Sequence, residues 1–533
     1  MDRPLLISAI IEHAAAQNGD AEIVSRETHG PVFRYTYAQC GARARKLANA
    51  LADLRLAAGS VAGTLAWNNH RHVEIYYAVS GSGMIVHTCN PRLHLDQLIF
   101  IVNHAQDEVL FFDSTFAPLV AAMAERCPRV RAWICMSDAQ NMPTLGVANV
   151  YCYETLIESQ SDTFTWPEFD ERSSAAICYT SGTTGNPKGA LYSHRAIVLN
   201  AMTICMPGML CLSSRESMLT VVPMFHINGW CAPYGCLIGG TRLVLPGPRL
   251  DGASLYELME SEKVTVSAGV PTVWLQLLQY VEQHNLKFST LRRVLSGGSA
   301  VPLAMIAKFD ERFGIEVRQG WGMTETTAVA TLSCATEAQL QWEPARRHAA
   351  AANAGKSVFG VDIKVVDEDG RTLPRDGKSQ GELMVRGQWI ISGYYRSATS
   401  PLKDGWFPTG DIATIDAQGT MQIRDRAKDL IKTGGEWISS IDLENATLGH
   451  PAVAAAAVIG VKHPKWQERP LLFVVCKAGH CLEAQEILGF LAERVAKWWV
   501  PEEVIFLESL PVGGTGKVQK TVLREKYGGV FNG

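Results

Sequence analysis

Between about residues 30 and 340, short apolar runs alternate with stretches of helical period. The runs lie at 175–179, 189–192, 221–223, 241–245, 264–268 and 293–295. Each is too short for a helix and is flanked by a helical pattern, which predicts α/β layers with largely parallel sheets. A helix is expected over 301–313, with Pro302 near its start and Met305, Ile306 and Phe309 on its buried face. At the N-terminus, Leu6, Ile10 and Ile11 share one face of an amphipathic helix. From about 355 the period shortens to that of strands. Runs at 361–366, 381–386, 412–415 and 421–424 are separated by turn signals such as Asp369-Gly370 and Gln418-Gly419, which predicts a mostly antiparallel β section. Past Lys428 a small α/β piece is expected, with strands at 454–461 and 471–477 and a helix over 482–497. The Ala-rich stretch 349–354 reads as a loose loop. The predicted division is therefore a large N-terminal domain, 1–427, and a small C-terminal α/β domain, 428–533.

Composition narrows the class of protein. At 533 residues the chain exceeds what one core sustains. Its 47% hydrophobic and 19% charged content is ordinary for a soluble enzyme. A net charge of −4 with no basic run gives no reason to expect nucleic acid as a partner. No segment nears the ~18 apolar residues of a membrane span. The charge-interrupted N-terminus does not read as a signal peptide, so the cytoplasm is expected. The 13 cysteines are odd in number and form no C-x-x-C pair, which reads as reduced, mostly buried thiols without a zinc spacing.

The densest chemistry lies in Tyr179-Thr-Ser-Gly-Thr-Thr-Gly-Asn-Pro-Lys-Gly189. Thr180, Ser181, Thr183 and Thr184 donate hydrogen bonds, and Gly182 and Gly185 let backbone N–H groups approach oxygens. Lys188 adds charge, so the stretch suits a polyphosphate. It is not a Walker A loop, because Gly189 follows the lysine where Ser or Thr would be needed. Four further motifs follow in order. Gln319-Gly-Trp-Gly-Met-Thr-Glu-Thr326 offers an acidic residue for a divalent cation. Pro408-Thr-Gly-Asp411 offers a carboxylate, read as lying at a turn, for ribose hydroxyls. The others are Arg424-Asp-Arg-Ala-Lys-Asp-Leu-Ile-Lys-Thr-Gly-Gly-Glu-Trp437 and Pro511-Val-Gly-Gly-Thr-Gly-Lys-Val-Gln-Lys520.

In this order the motifs resemble the adenylate-forming superfamily of acyl-CoA synthetases, peptide-synthetase adenylation domains and beetle luciferases. The resemblance covers roughly residues 30 to 525. Pro223-Met-Phe-His-Ile-Asn-Gly-Trp230 and His463-Pro-Lys-Trp-Gln-Glu-Arg-Pro470 look particularly like the fatty-acyl and methylthioalkanoyl-CoA ligase branch. The resemblance implies ATP, Mg²⁺ and CoA as reaction partners of a small carboxylic acid, with a homodimer left open. It places Thr180, Ser181, Gly182, Thr183, Thr184, Gly185 and Lys188 on the ATP β- and γ-phosphates. Gly297, Gly298 and Ser299 flank the adenine, and Trp321 lies beside the adenine or acyl pocket. Thr324 sits near the α-phosphate, Glu325 on Mg²⁺, and Asp411 with Arg426 on the ribose. Lys517 reaches the α-phosphate across the domain gap; Lys520, three residues on, reads as a helix-surface residue. Lys428 is the hinge about which the small domain rotates between the two half-reactions. That rotation brings in Lys432, Gly434, Gly435, Glu436 and Trp437 along the thiol's path. His226 becomes a gate at the pocket mouth, while Trp230, Gly297 and Trp321 shape the acyl site.

The stretch 224–230 holds no carboxylate to pair with a substrate ammonium, which disfavours α-amino acids and favours an apolar acid. The expected reaction is ATP-dependent activation of a medium-chain fatty acid or methylthiopropionate-like acid as acyl-adenylate, then transfer to CoA. The alternatives are an adenylation enzyme loading a carrier-protein thiol, a luciferase-like oxygenase, and a non-catalytic nucleotide binder. The last predicts a damaged phosphate loop or a missing terminal lysine, and the sequence has neither.

Overall fold

The computed structural model describes residues 2–29, 31–180, 187–433, 436–513 and 517–532. Two large sheets dominate. The first runs, in spatial order, Val150–Cys152, Ala132–Cys135, Asp107–Phe112, Val61–Leu65, Ile85–Thr88, Ser174–Tyr179 and Gly189–Ser193. It is parallel except for its last pair, an antiparallel hairpin in which Tyr179 faces Gly189. The second runs from Lys356–Ser357 through Thr331–Leu332, Glu316–Trp321, Arg293–Gly297, Val266–Gly269, Ser217–Thr220, Arg242–Leu245 and Glu22–Arg26 to Val32–Thr36. Its middle is parallel and both its ends are antiparallel. Central strands such as Val61–Leu65 are buried at every position, as parallel strands covered on both faces must be.

The layer between the sheets is helical. His70–Gly81 is buried along its whole length; Ile7–Gln17 and Tyr37–Asp53 pack against it, and His194–Cys205 packs on Ile7–Gln17 and Ala232–Gly239. Each fully buried aliphatic or aromatic side chain in this layer contributes roughly 1.5–3 kcal/mol relative to exposure. Thr36 and Gln39 form a reciprocal capping box at the start of Tyr37–Asp53, satisfying two otherwise orphaned N–H groups.

An antiparallel sheet of Val361–Val366, Gly381–Gly387, Phe407–Ile415 and Met421–Arg426 follows. The chain ends in a separate sheet of Glu436–Ile438, Ile431–Thr433, Gln467–Cys476 and Val453–His463, with Glu503–Phe506 parallel to the long central strand. The expected fold class, layered α/β with a β section and a small C-terminal α/β part, is met. No helix among the described residues is long and apolar enough to cross a membrane.

Several local expectations need correction. The strand read at 221–223 is Ser217–Thr220, and 221–223 lies beyond its C-terminal end. Asp411 is not at a turn but inside Phe407–Ile415, which is longer than the run of apolar residues suggested. The Ala-rich stretch is helical at its start, as the end of Pro344–Ala351. The last predicted helix stops at Ala492, where Arg494 and Val495 both bond back to the Leu491 carbonyl. Lys520 is not a surface residue. Its ammonium lies 2.7 Å from Glu444 and 2.6 Å from the Ser440 hydroxyl.

Candidate active site

A cavity of about 370 Å³ opens where the parallel strands of both large sheets end. Thr88 and Tyr179 close strands of the first sheet, and Val222, Val270, Gly298 and Gly322 follow strands of the second. Ligand sites of open parallel sheets lie at these carboxyl ends, because there the loops are free to vary while the strands hold them. The third sheet adds Pro408, Thr409 and Arg426, and the C-terminal part adds Lys517.

The phosphate motif hangs from the hairpin of Ser174–Tyr179 and Gly189–Ser193. Thr180 N–H donates to the Lys188 carbonyl at 2.9 Å, closing the loop's base. Gly189 packs closely: a Cβ there would lie 3.0 Å from Ile177 and 3.1 Å from the Tyr179 ring, so those side chains would have to shift. Ser181, Gly182, Thr183, Thr184 and Gly185 fall outside the described residues. Lys188 is exposed, with its ammonium 5.2 Å from the centroid of the Tyr394 ring.

Of the residues singled out in the sequence, His226, Trp230, Gly298, Trp321, Thr324, Glu325, Arg426 and Lys517 all line this cavity. Gly297 backs the wall: a Cβ on it would meet the Gly320 carbonyl at 2.6 Å and the Trp230 ring at 3.3 Å. Asp411 lies one bond behind. Its carboxylate accepts from Trp321 Nε1 at 2.9 Å and pairs with Arg426 Nε at 2.8 Å. Burial pushes the Asp411 carboxyl above its ordinary range, and Arg426 opposes that. Thr324 and Glu325 are both buried. The Thr324 carbonyl accepts from Tyr192 at 2.7 Å, and Glu325 Oε1 accepts from the Tyr394 hydroxyl at 2.7 Å. A single buried carboxylate at the phosphate-loop end of the cavity suits a hard divalent cation that takes its other ligands from phosphate and water.

Lys517 is partly buried and packs on Gly298, where an added Cβ would lie 3.3 Å from its Cε. Burial first, and Arg426 second, bring its pKa down to about 8. His226 is pushed down to about 3 by burial and then by the Lys517 charge, so it is a neutral imidazole at working pH.

The chain between His226 and Ala232 runs through an unusual stretch of left-handed backbone. Ile227, Asn228, Gly229, Trp230 and Cys231 all have positive φ, from 45° to 61°. A left-handed turn costs about 1–2 kcal/mol per residue with a Cβ, so packing must hold it. The Asn228 side chain is 1% exposed, and neither its oxygen nor its nitrogen has a hydrogen-bond partner among the described residues. This strained turn carries Trp230 to the cavity wall.

Some predicted residues lie elsewhere. Ser299 is exposed and does not line the cavity. Lys428 is exposed in the turn after Met421–Arg426. Lys432 stacks its ammonium over Trp437 at 4.6 Å and borders a separate depression with His463 and Glu468. Gly434 and Gly435 are outside the described residues, as is the side chain of Glu436. Sequence reasoning missed Tyr394 and Asp425, whose roles are set by partners far along the chain. It also missed the cluster His87, Cys89 and Asp107, whose potential metal-ligating atoms lie within 4.8 Å of one another. His87 Nδ1 faces Asp107 at 2.9 Å, while Cys89 Sγ is 3.7 and 3.6 Å from the two ring nitrogens and so lies on neither lone-pair line. The arrangement is that of a buried hydrogen-bonded pair.

The family model described as "AMP-binding enzyme" matches residues 11–395, and "AMP-binding enzyme C-terminal domain" matches 442–517. The chain belongs to the AMP-binding enzyme family. Among proteins of this kind, it is 46% identical to a 3-methylmercaptopropionyl-CoA ligase of Ruegeria lacuscaerulensis, over 100% of this chain and 99% of that one. It is also 46% identical to a medium-chain-fatty-acid–CoA ligase of Ectopseudomonas oleovorans, over 100% of this chain and 97% of that one. The solved structure of the anthranilate CoA ligase AuaEII with anthranoyl-AMP superposes with a TM-score of 0.89 at 23% identity, covering 99% of this chain and 98% of that one. That likeness confirms the fold. The sequence reading of an AMP-forming acyl-CoA ligase using ATP, Mg²⁺ and CoA stands.

Proposed function

We propose that this AMP-binding enzyme activates an apolar carboxylic acid of short to medium length, a medium-chain fatty acid or a methylthiopropionate-like acid. The observation that carries the reading is the cavity itself. At about 370 Å³ it is at the small end of ligand sites, and it must also admit the nucleotide held near Asp411 and Trp321. Its inner wall is apolar, with Ile204, Val222, Leu295 and Val329, and Glu325 is its one carboxylate among the described lining residues. An ammonium deep in this pocket would find no partner. The names of the two full-length relatives support the same class of acid.

In the first half-reaction the acid's carboxylate attacks the α-phosphorus of ATP, and pyrophosphate leaves past Thr180 and Lys188. Lys517 faces the phosphoryl oxygens on which charge builds, and a fixed cation there lowers the barrier without reorganising at the moment of reaction. Glu325 would hold Mg²⁺, which supplies further charge neutralisation at the phosphates. Asp411 accepts ribose hydroxyls, and Arg426 and Trp321 hold its carboxylate for that task. Neutral His226 stands at the mouth of the acyl site without adding charge. Lys428 is the hinge between a large domain ending at 427 and a small domain from 428. Rotation there withdraws Lys517 and brings Lys432 and Trp437 to the path of the CoA thiol, which then attacks the acyl-adenylate and releases AMP.

The test is AMP release with ATP and CoA over a series of straight-chain and thioether acids. The expected result is a maximum of kcat/KM at short to medium length, with each methylene beyond it worth ~1–3 kcal/mol or less. A maximum at long-chain acids would overturn the substrate reading, and no AMP with any acid would overturn the reaction.

A further inference from the structure

No motif in the sequence singles out Tyr394. Its backbone bridges to Ala190, and the N–H of Tyr395 donates to the Gly189 carbonyl at 2.7 Å. The segment is thereby stitched to the return strand of the phosphate loop. Three residues upstream, the N–H of Ile391 donates to the Glu325 carbonyl at 3.0 Å, so the same segment holds the Glu325 main chain. Between these anchors, the Tyr394 hydroxyl donates to Glu325 Oε1 at 2.7 Å and its ring faces the Lys188 ammonium at 5.2 Å. That separation is within the range at which a cation is attracted to an aromatic face.

We propose that Tyr394 is a positioning residue that fixes the Glu325 carboxylate through its hydroxyl and the Lys188 ammonium through its ring, setting the cation site and Lys188 together. The proposal rests on the reading of Glu325 as the Mg²⁺ ligand. A free carboxylate samples several rotamers. With one oxygen committed to the Tyr394 proton, Glu325 presents the other in a single direction. Partners that orient a metal ligand in this way are typically worth 10–100-fold in metal affinity.

The experiment measures Mn²⁺ bound to the enzyme with a non-hydrolysable ATP analogue, by electron paramagnetic resonance, beside thermal unfolding of each variant. Tyr394→Phe removes only the hydroxyl, and Glu325→Gln serves as the reference. The expected result is a rise of roughly 10-fold or more in half-saturating Mn²⁺ for Tyr394→Phe, with no change in Tm, and at least as large a rise for Glu325→Gln. Tyr394→Leu, lacking the ring, should in addition weaken metal-free binding of the ATP analogue, which Tyr394→Phe should not. If Glu325→Gln raises half-saturation and Tyr394→Phe does not, the positioning role is wrong while the cation site stands. If Glu325→Gln changes nothing, the reading of Glu325 fails and the proposal with it. Weaker Mn²⁺ binding accompanied by a lower Tm in Tyr394→Phe would show a merely structural tyrosine and overturn it as well.

Discussion

The ammonium of Lys517 shares its cavity with Arg426, and burial together with that guanidinium brings its pKa to about 8. On the proposed role of Lys517, adenylation uses the charged form, so kcat/KM for pyrophosphate release should fall as pH rises through about 8, since this parameter reports the free enzyme. Lys517→Arg should move that limb out of range, because a guanidinium does not titrate there. A wild-type profile flat to well above the limb would show that the charge is not required. Lys517, Glu325, Asp411 and Arg426 were legible through the motifs that carry the family resemblance, although Asp411 lies inside the strand Phe407–Ile415 and not at the expected turn. Tyr394 was not legible. Its meaning comes from a hydroxyl meeting Glu325 across 69 positions, and no local pattern encodes such a contact.

At the scale of elements, the strand Met421–Arg426 works on two sides. Arg426 turns to Asp411 and the cavity, while Asp425 turns away and accepts from both the N–H and the hydroxyl of Ser440 at 2.7 Å. The Ser439 hydroxyl also donates to the Arg424 carbonyl at 2.6 Å. Arg424 and Asp425 precede Lys428, and Ser439 and Ser440 follow it, so rotation at Lys428 must break these bonds. Bonds to a charged acceptor are worth about 1.5–3 kcal/mol each. Asp425→Ala should therefore bias the enzyme away from the adenylating arrangement. The expected outcome is a roughly tenfold or larger shift in the ratio of the two half-reaction rates, towards thioester formation. An unchanged ratio would show that the contacts do not hold the arrangement. Parallel strands were legible from their fully apolar runs. The left-handed turn at 227–231 was not, because only Asn228 and Gly229 in it tolerate positive φ readily and the surrounding packing imposes the rest.

Across the whole molecule, the order of motifs along the chain proved more informative than any one of them. The sequence predicted layered α/β sheets, a β section and a small C-terminal unit. It could not predict that the carboxyl ends of both sheets meet at one cavity, which depends on the helical layer around His70–Gly81 setting their relative position. That layer is tied laterally by Arg43, which bonds Glu74 at 2.8 Å and Glu154 at 2.9 Å. Arg71 bonds Glu154 at 2.6 Å and Glu27 at 2.9 Å. Burial works against the Glu154 charge, but these arginines outweigh it and hold the carboxyl near 2. These ion pairs brace the helical layer, and Lys517 reaches the cavity from the C-terminal part of the chain.

The central claim is that one lysine on the small domain serves the first half-reaction and leaves before the second. The direct measurement is the rate of each half-reaction in Lys517→Ala, with acyl-adenylate supplied for the second. Loss of a preorganised cation should slow adenylation by roughly 10²–10³-fold and leave thioester formation from supplied acyl-adenylate near the wild-type rate. Equal loss of both half-reactions would contradict the account.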